Sequence, residues 1–174
     1  MQALHRFSRV ITAATLMLPT TGAHAGTILN VGGTLSGANE VPPTASSGVG
    51  SVLVVLHKRS QTIEIKGSFR NLTTSATAAH IHCCAPLGTN VGAATAMPAF
   101  AGFPLKVTSG SFELAFSLTN PSFYNPAFVL AVDGTSEGAE AALEAGIEAG
   151  LSYFSIHTTK FPSGEIRSQL VTVP

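Results

Sequence analysis

Apolar side chains recur at every second position of Gly110–Leu118 (GSFELAFSL), which puts Phe112, Leu114, Phe116 and Leu118 on one side. A period of two is the repeat of a β-strand with one buried face; a helix would scatter the same residues around its circumference. Thr62–Phe69 (TIEIKGSF) alternates in the same way, with Ile63, Ile65, Gly67 and Phe69 on one face and Glu64, Lys66 and Ser68 on the other. Ser51–His57 (SVLVVLH) is apolar and β-branched, and Lys58–Gln61 turns it back onto Thr62–Phe69 as a hairpin. Gly26–Leu35, Ala78–Cys84, Tyr153–Thr158 and Glu165–Val171 add further short extended stretches. Turn-rich segments such as Ser36–Gly50, Ala85–Asn90, Asn120–Pro126 and Phe161–Gly164 separate them. Ala127–Val132 reads as a short buried segment. Thr135–Leu151 departs from the pattern: it is rich in Ala and Glu, and Ala139, Leu143 and Ile147 recur at spacing four, so one amphipathic helix is expected over about residues 137–150. Short strands, many turns and a lone helix predict an all-β fold. The form expected is an antiparallel β-sandwich or small barrel, immunoglobulin- or superoxide-dismutase-like, with one short helix.

The first 25 residues follow a different logic. Met1–Arg9 carries Arg6 and Arg9 and no acid, Val10–Leu18 is an apolar run, and Pro19–Ala25 closes on Ala23-His24-Ala25. A basic start, a short apolar run and a small-x-small end form a cleavable secretory leader, and the run is too short to span a bilayer. Residues 1–25 are therefore expected to be a signal peptide, and residues 26–174 one domain in the periplasm or outside the cell, with no transmembrane anchor. Such a chain would begin at Gly26 after export. Lys and Arg number 9 and Asp and Glu number 9 over the 174 residues. The leader holds two of the bases, so the remaining domain is slightly acidic and shows no basic stripe, which argues against a nucleic-acid partner.

Three segments form an ordered set: Ser36–Pro43 (SGANEVPP), Ala79–His82 with the Pro/Gly loop after it (AHIH-CCAPLGTNVG), and Tyr153–Leu170 (YFSIHTTKFPSGEIRSQL). The patterns G-x-x-E-x-P-P and H-T-x-x-x-P-x-G-E-I-R in this order resemble the CHRD domain, named after chordin and widespread in exported bacterial proteins. The resemblance spans about Thr34–Leu170. It implies an exported β-domain and carries over no catalytic mechanism. In animal chordins such domains belong to a secreted antagonist of growth factors. One departure stands out: the final motif often reads G-E-I-R-G-Q-L, and Ser168 replaces its second Gly here.

Histidines carry the clearest chemistry. His80 and His82 share one face of a strand, at a spacing that lets two imidazoles converge on one ion, and His157 sits in a second His-bearing strand. If those strands are neighbours, three histidines with an open fourth position suit copper or zinc. The alternative is structural, with the rings tying down the Pro/Gly loop by hydrogen bonds to its carbonyls. Cys83 and Cys84 are the only two cysteines. Their Cα atoms lie ~3.8 Å apart across a trans peptide, short of the usual disulfide span of ~4.4–6.8 Å. An oxidising compartment nonetheless favours a vicinal disulfide. Two other readings stay open: Cys84 as a soft metal ligand on the face of His80 and His82, and an intermolecular bond. Glu165 and Arg167 share a strand face opposite Ile166, either as a partly exposed pair or as contacts to neighbouring loops. Glu40, Pro42, Pro43 and Gly164 read as loop-fixing motif residues.

Enzyme signatures are missing: there is no G-x-S-x-G elbow, H-E-x-x-H helix or phosphate-cradling glycine loop, and Asp133 is the sole Asp. The four histidines outside the leader (His57, His80, His82 and His157) are too few for the bimetal site of a Cu/Zn superoxide dismutase. Two expectations follow. The first is a non-enzymatic exported module that binds an unidentified protein or small ligand. The second is a copper- or zinc-binding protein built on the histidine cluster, whose role would be storage or scavenging.

Overall fold

The computed structural model describes residues 28–173. The leader and its junction at Gly26 lie outside the described residues. The strands are β1 (Ile28–Ser36), β2 (Val49–His57), β3 (Thr62–Arg70), β4 (Ala76–His82), β5 (Gly110–Ser117), β6 (Tyr153–Thr158), β7 (Ile166–Gln169) and β8 (Val171–Thr172). Between β5 and β6 lie α1 (Pro126–Val132) and α2 (Ser136–Glu148). Among the described residues all strands join one sheet in the order β4-β6-β7-β1-β2-β3-β5, with β8 against β1. Every neighbouring pair is antiparallel.

The sheet curls because its inner face must be covered. Phe112 on β5 stacks on Phe154 of β6 with ring centroids 5.7 Å apart, although four strands separate β5 from β6 along the sheet. Phe103 packs against both rings, at 5.0 and 6.5 Å. Val52, Val54, Leu56, Ile63 and Ile65 of the β2–β3 hairpin are buried from the other side of the half-barrel. The expected β2–β3 hairpin pairs His57 with Thr62 at its turn and Val49 with Arg70 at its open end. The all-β reading therefore holds, with the core inside a single curled sheet.

The helical part is larger than expected, since Ala127–Val132 belongs to α1. Asn125 Oδ1 accepts from the Ala127 amide at 3.0 Å and Pro126 takes the first helical position, a start signal that outweighs the apolar run behind it. In α2 the Thr135 hydroxyl caps the Gly138 amide at 3.0 Å, and Ala139, Leu143 and Ile147 face the core. The Lys58 ammonium on the β2–β3 turn reaches Glu148 at 2.6 Å, and Gln61 donates to the buried Glu140 at 3.0 Å.

Cys83 and Cys84 are bonded to each other. Their sulfurs point at the Ala142 carbonyl and lie so close to Gly146 that a Cβ there would overlap both. The disulfide thus seats α2 on the end of β4. Cys84 as a metal ligand is corrected by this arrangement: β4 stops at His82, so the alternation that would carry Cys84 onto the face of His80 and His82 stops too, and its sulfur is already bonded.

Candidate metal centre

Antiparallel register decides which side chains meet. Ala78, His80 and His82 share one face of β4, and β6 pairs His157 with Ala78, Ser155 with His80 and Tyr153 with His82. His157 therefore emerges on the face of the other two histidines, diagonal to His80. The opposite face of these strands carries Ala79, Ile81, Phe154 and Ile156, all fully buried in the core. Outside, the segment after the disulfide folds back over β4, with bridges from Ala93 to His82 and from Ala99 to Ala79. The histidine face is covered as well: His80 is 3%, His82 8% and His157 8% exposed.

The rings converge. His80 Nδ1 lies 3.2 Å from His157 Nε2, and His82 Nε2 lies 3.4 Å from the same atom. One ligand atom from each histidine falls within 4.8 Å of the other two. Four ligands at 2.0–2.1 Å around a tetrahedral ion are separated by about 3.3 Å, so the two short distances match edges of such a tetrahedron.

The hydrogen bonds behind the rings fix their protons. His82 Nδ1 donates to the Val91 carbonyl at 2.8 Å, and His157 Nδ1 donates to the Pro162 carbonyl at 3.0 Å. Both Nε2 atoms are then lone pairs facing each other at 3.4 Å, which is no hydrogen bond. His80 can offer a single proton to one of them. His80 Nε2 meets no acceptor with hydrogen-bond geometry, although the Pro98 backbone acts to keep a proton on that ring. Burial, with repulsion from its two neighbours, pushes the His80 imidazole down to about 4. Burial does the same to His82, also to about 4, against a smaller upward pull from the Val91 carbonyl. Burial lowers His157 too. Two neutral imidazoles held with Nε2 bare by backbone carbonyls, joined by His80 through Nδ1 when its proton sits on Nε2, form a ligand set of the kind a metal uses.

A polar layer continues from the histidines along the same face. The Tyr153 ring stacks on His82 with centroids 4.6 Å apart and planes 5° from parallel. The Arg167 guanidinium lies over the other face of the layer, 3.9 Å from the Tyr153 centroid, and donates to Asn90 Oδ1 at 3.0 Å. Ser155 donates to Glu40 Oε1 at 2.9 Å. Burial raises the Glu40 carboxyl above its ordinary value, against the Ser155 bond and the Arg167 charge. Gly164 packs on that carboxylate so closely that a Cβ would sit 2.6 Å from Oε1, and its φ of 129° also favours glycine. Pro42, Pro43, Phe161 and Pro162 line a cleft of about 380 Å³ beside Glu40.

Glu165 and Arg167 do not form a partly exposed pair. Glu165 is fully buried and Arg167 1% exposed. Glu165 reaches the neighbouring loops, accepting from Ser46, Thr73 and Thr158. Tyr153 and Ser155 were within reach of sequence reasoning, since stepping back by two from His157 lands on both. Asn90, Val91 and the Pro162 carbonyl sit in irregular segments, where no periodicity points to them.

The CHRD domain family model matches residues 31–170. No curated protein and no solved structure matches the chain. The ordered motifs noted above, Ser36–Pro43, Ala79–His82 and Tyr153–Leu170, all lie within or across that span, and they supply Glu40, His80, His82, His157 and Arg167 to the polar layer. The chain belongs to the CHRD domain family.

Proposed function

We propose that this chain is an exported, non-enzymatic binding domain whose ligand is a copper or zinc ion held by His80, His82 and His157. One observation carries the reading. The Nε2 lone pairs of His82 and His157 face each other at 3.4 Å while both Nδ1 atoms are committed to backbone carbonyls. The single proton His80 Nδ1 can offer satisfies one of these lone pairs, that of His157 Nε2 at 3.2 Å, and leaves His82 Nε2 facing a like atom, which is costly when buried. A shared cation resolves the clash. Three imidazoles hold the ion and leave its fourth position to another donor.

The test is titration of the untagged protein, starting at Gly26, with Cu and Zn at neutral pH. One equivalent should bind, and His157→Ala should weaken affinity by about 100-fold or more, above the usual cost of losing an outer partner of a ligand. Unchanged affinity in that variant would remove His157 from the site and leave the histidines as scaffold. Export is checked separately by intact mass: the periplasmic or culture fraction should contain a chain beginning at Gly26, and a full-length mass there would overturn secretion by cleavage.

A further inference from the structure

We propose that Met97 is a fourth, thioether ligand of the three-histidine centre and makes it selective for Cu(I) over Zn(II); this rests on the metal reading of the histidines. The backbone around Met97 is tied down on both sides. Ala93 bridges to His82, and Ala99 bridges to Ala79. Between them the Ala96 amide donates to the Phe123 carbonyl at 2.9 Å, and the Asn125 side chain donates to the Ala93 carbonyl at 3.0 Å. Met97 is thereby held over the stretch of β4 that carries His80 and His82, and it lines one cavity of about 250 Å³ together with all three histidines.

The side chain suits the place. Met97 is 59% exposed, whereas the histidines below it are almost fully buried. An unbranched thioether with three rotatable bonds can turn toward the cavity that it already lines. Thioether sulfur is a soft donor, and soft donors select Cu(I), whereas imidazole alone serves zinc and copper alike.

Charge points the same way. Among the described residues, the charged group outside the cluster that acts on these rings is Arg167, which bears on His82 and lies over the Tyr153 ring. Arg167 Nε and Nη2 are buried without hydrogen-bond partners, and the carboxyl that this cation acts on is Glu40, whose own charge is disfavoured by burial. Four neutral ligands give a centre with the charge of the ion alone. A monovalent ion adds half the charge of a divalent one beside a buried guanidinium, where the surroundings screen poorly. The ion is taken up as Cu(I), and no change of oxidation state is involved.

The experiment compares wild type, Met97→Leu and His157→Ala. Cu(I) affinity is read under anaerobic ascorbate by competition with a chromophoric Cu(I) chelator, and Zn(II) affinity by direct titration. Met97→Leu should lower Cu(I) affinity about tenfold or more and leave Zn(II) affinity within about twofold, because it deletes the soft donor and keeps the imidazoles. His157→Ala should lower both. X-ray absorption of the Cu(I) form should show a sulfur neighbour in wild type and none in Met97→Leu. Equal affinities for both ions in wild type and Met97→Leu, or a sulfur neighbour that survives the substitution, would overturn the Met97 assignment and leave the three-histidine site standing. Loss of neither ion in His157→Ala would overturn both.

Discussion

Glu165→Ala should lower the free energy of unfolding by about 4 kcal/mol, the loss expected when one partner of a buried charged network is deleted. Glu165 is fully buried. Its Oε1 accepts from the Ser46 hydroxyl at 2.5 Å and the Thr73 amide at 2.6 Å, and its Oε2 accepts from the Thr158 hydroxyl at 2.6 Å. These donors come from the β1–β2 loop, the β3–β4 turn and the end of β6, so one carboxylate ties three chain segments together. Alanine would leave the Thr73 amide and two hydroxyls without an acceptor in a place water does not reach. Glu165→Gln keeps the Oε1 acceptor and turns the other oxygen into an amide that Thr158 can accept from after its hydroxyl rotates. It should cost about 1–2 kcal/mol, the range of an ordinary hydrogen bond. Urea unfolding at pH 7 measures both, and an alanine variant within about 0.5 kcal/mol of wild type would mean that the network is worth no more than a surface contact.

The same carboxylate has a defined pH sign. Burial pushes Glu165 up, but the bonds from Ser46, Thr158 and Thr73 together pull it below the ordinary carboxylate value. Its folded-state value is depressed, so its contribution is fully present above the ordinary value and is lost only as pH falls through the lower, folded one. At pH 7 the difference between wild type and Glu165→Ala is therefore read at full size.

How much of this was legible depends on the range of the signal. Strands β3 and β5 declare themselves by a period of two, because each has one face on the core and one facing out, and α2 declares itself by a spacing of four. The Asn125-Pro126 start of α1 is equally local, but a seven-residue apolar helix and a buried strand have the same composition. Along β4, β6 and β7 alternation fails as a guide, since these strands are covered on both faces and every residue of β6 is buried. That is why the sequence leaves Glu165 and Arg167 open between a partly exposed pair and contacts to neighbouring loops. His80 and His82 were readable as a pair from their spacing. The position of His157 against Ala78 required the register of the sheet. Met97 lies in an irregular segment whose place over β4 depends on long-range bridges, so no pattern within the chain singles it out.

The metal-free protein should lose stability steadily as pH falls from about 6.5 to 4. His80 and His82 are held near 4 in the folded state by burial, against an ordinary imidazole value of 6.5. Between these values the unfolded chain binds protons that the folded chain refuses, so unfolding is favoured increasingly as acid is added. Each of the two rings can account for roughly 3 kcal/mol across that window, less where one proton in the cluster discourages the next. His157, also lowered by burial, adds in the same direction. Glu40 works against them at the acid end: its folded-state value is raised, so protonation there favours the fold as pH drops toward the ordinary carboxylate range. Glu165 enters only below that. Urea unfolding at a series of pH values in the presence of a chelator measures the slope, and His82→Gln, which cannot titrate, should flatten it by about one histidine's share. A metal ion at a free concentration 100 times its Kd should add about 2.7 kcal/mol at neutral pH. That increment should fade on acidification as protons compete for the same lone pairs. A stability profile flat from pH 7 to pH 5 without metal would show that the three rings are solvated, and a solvated cluster would not need an ion to reconcile its lone pairs.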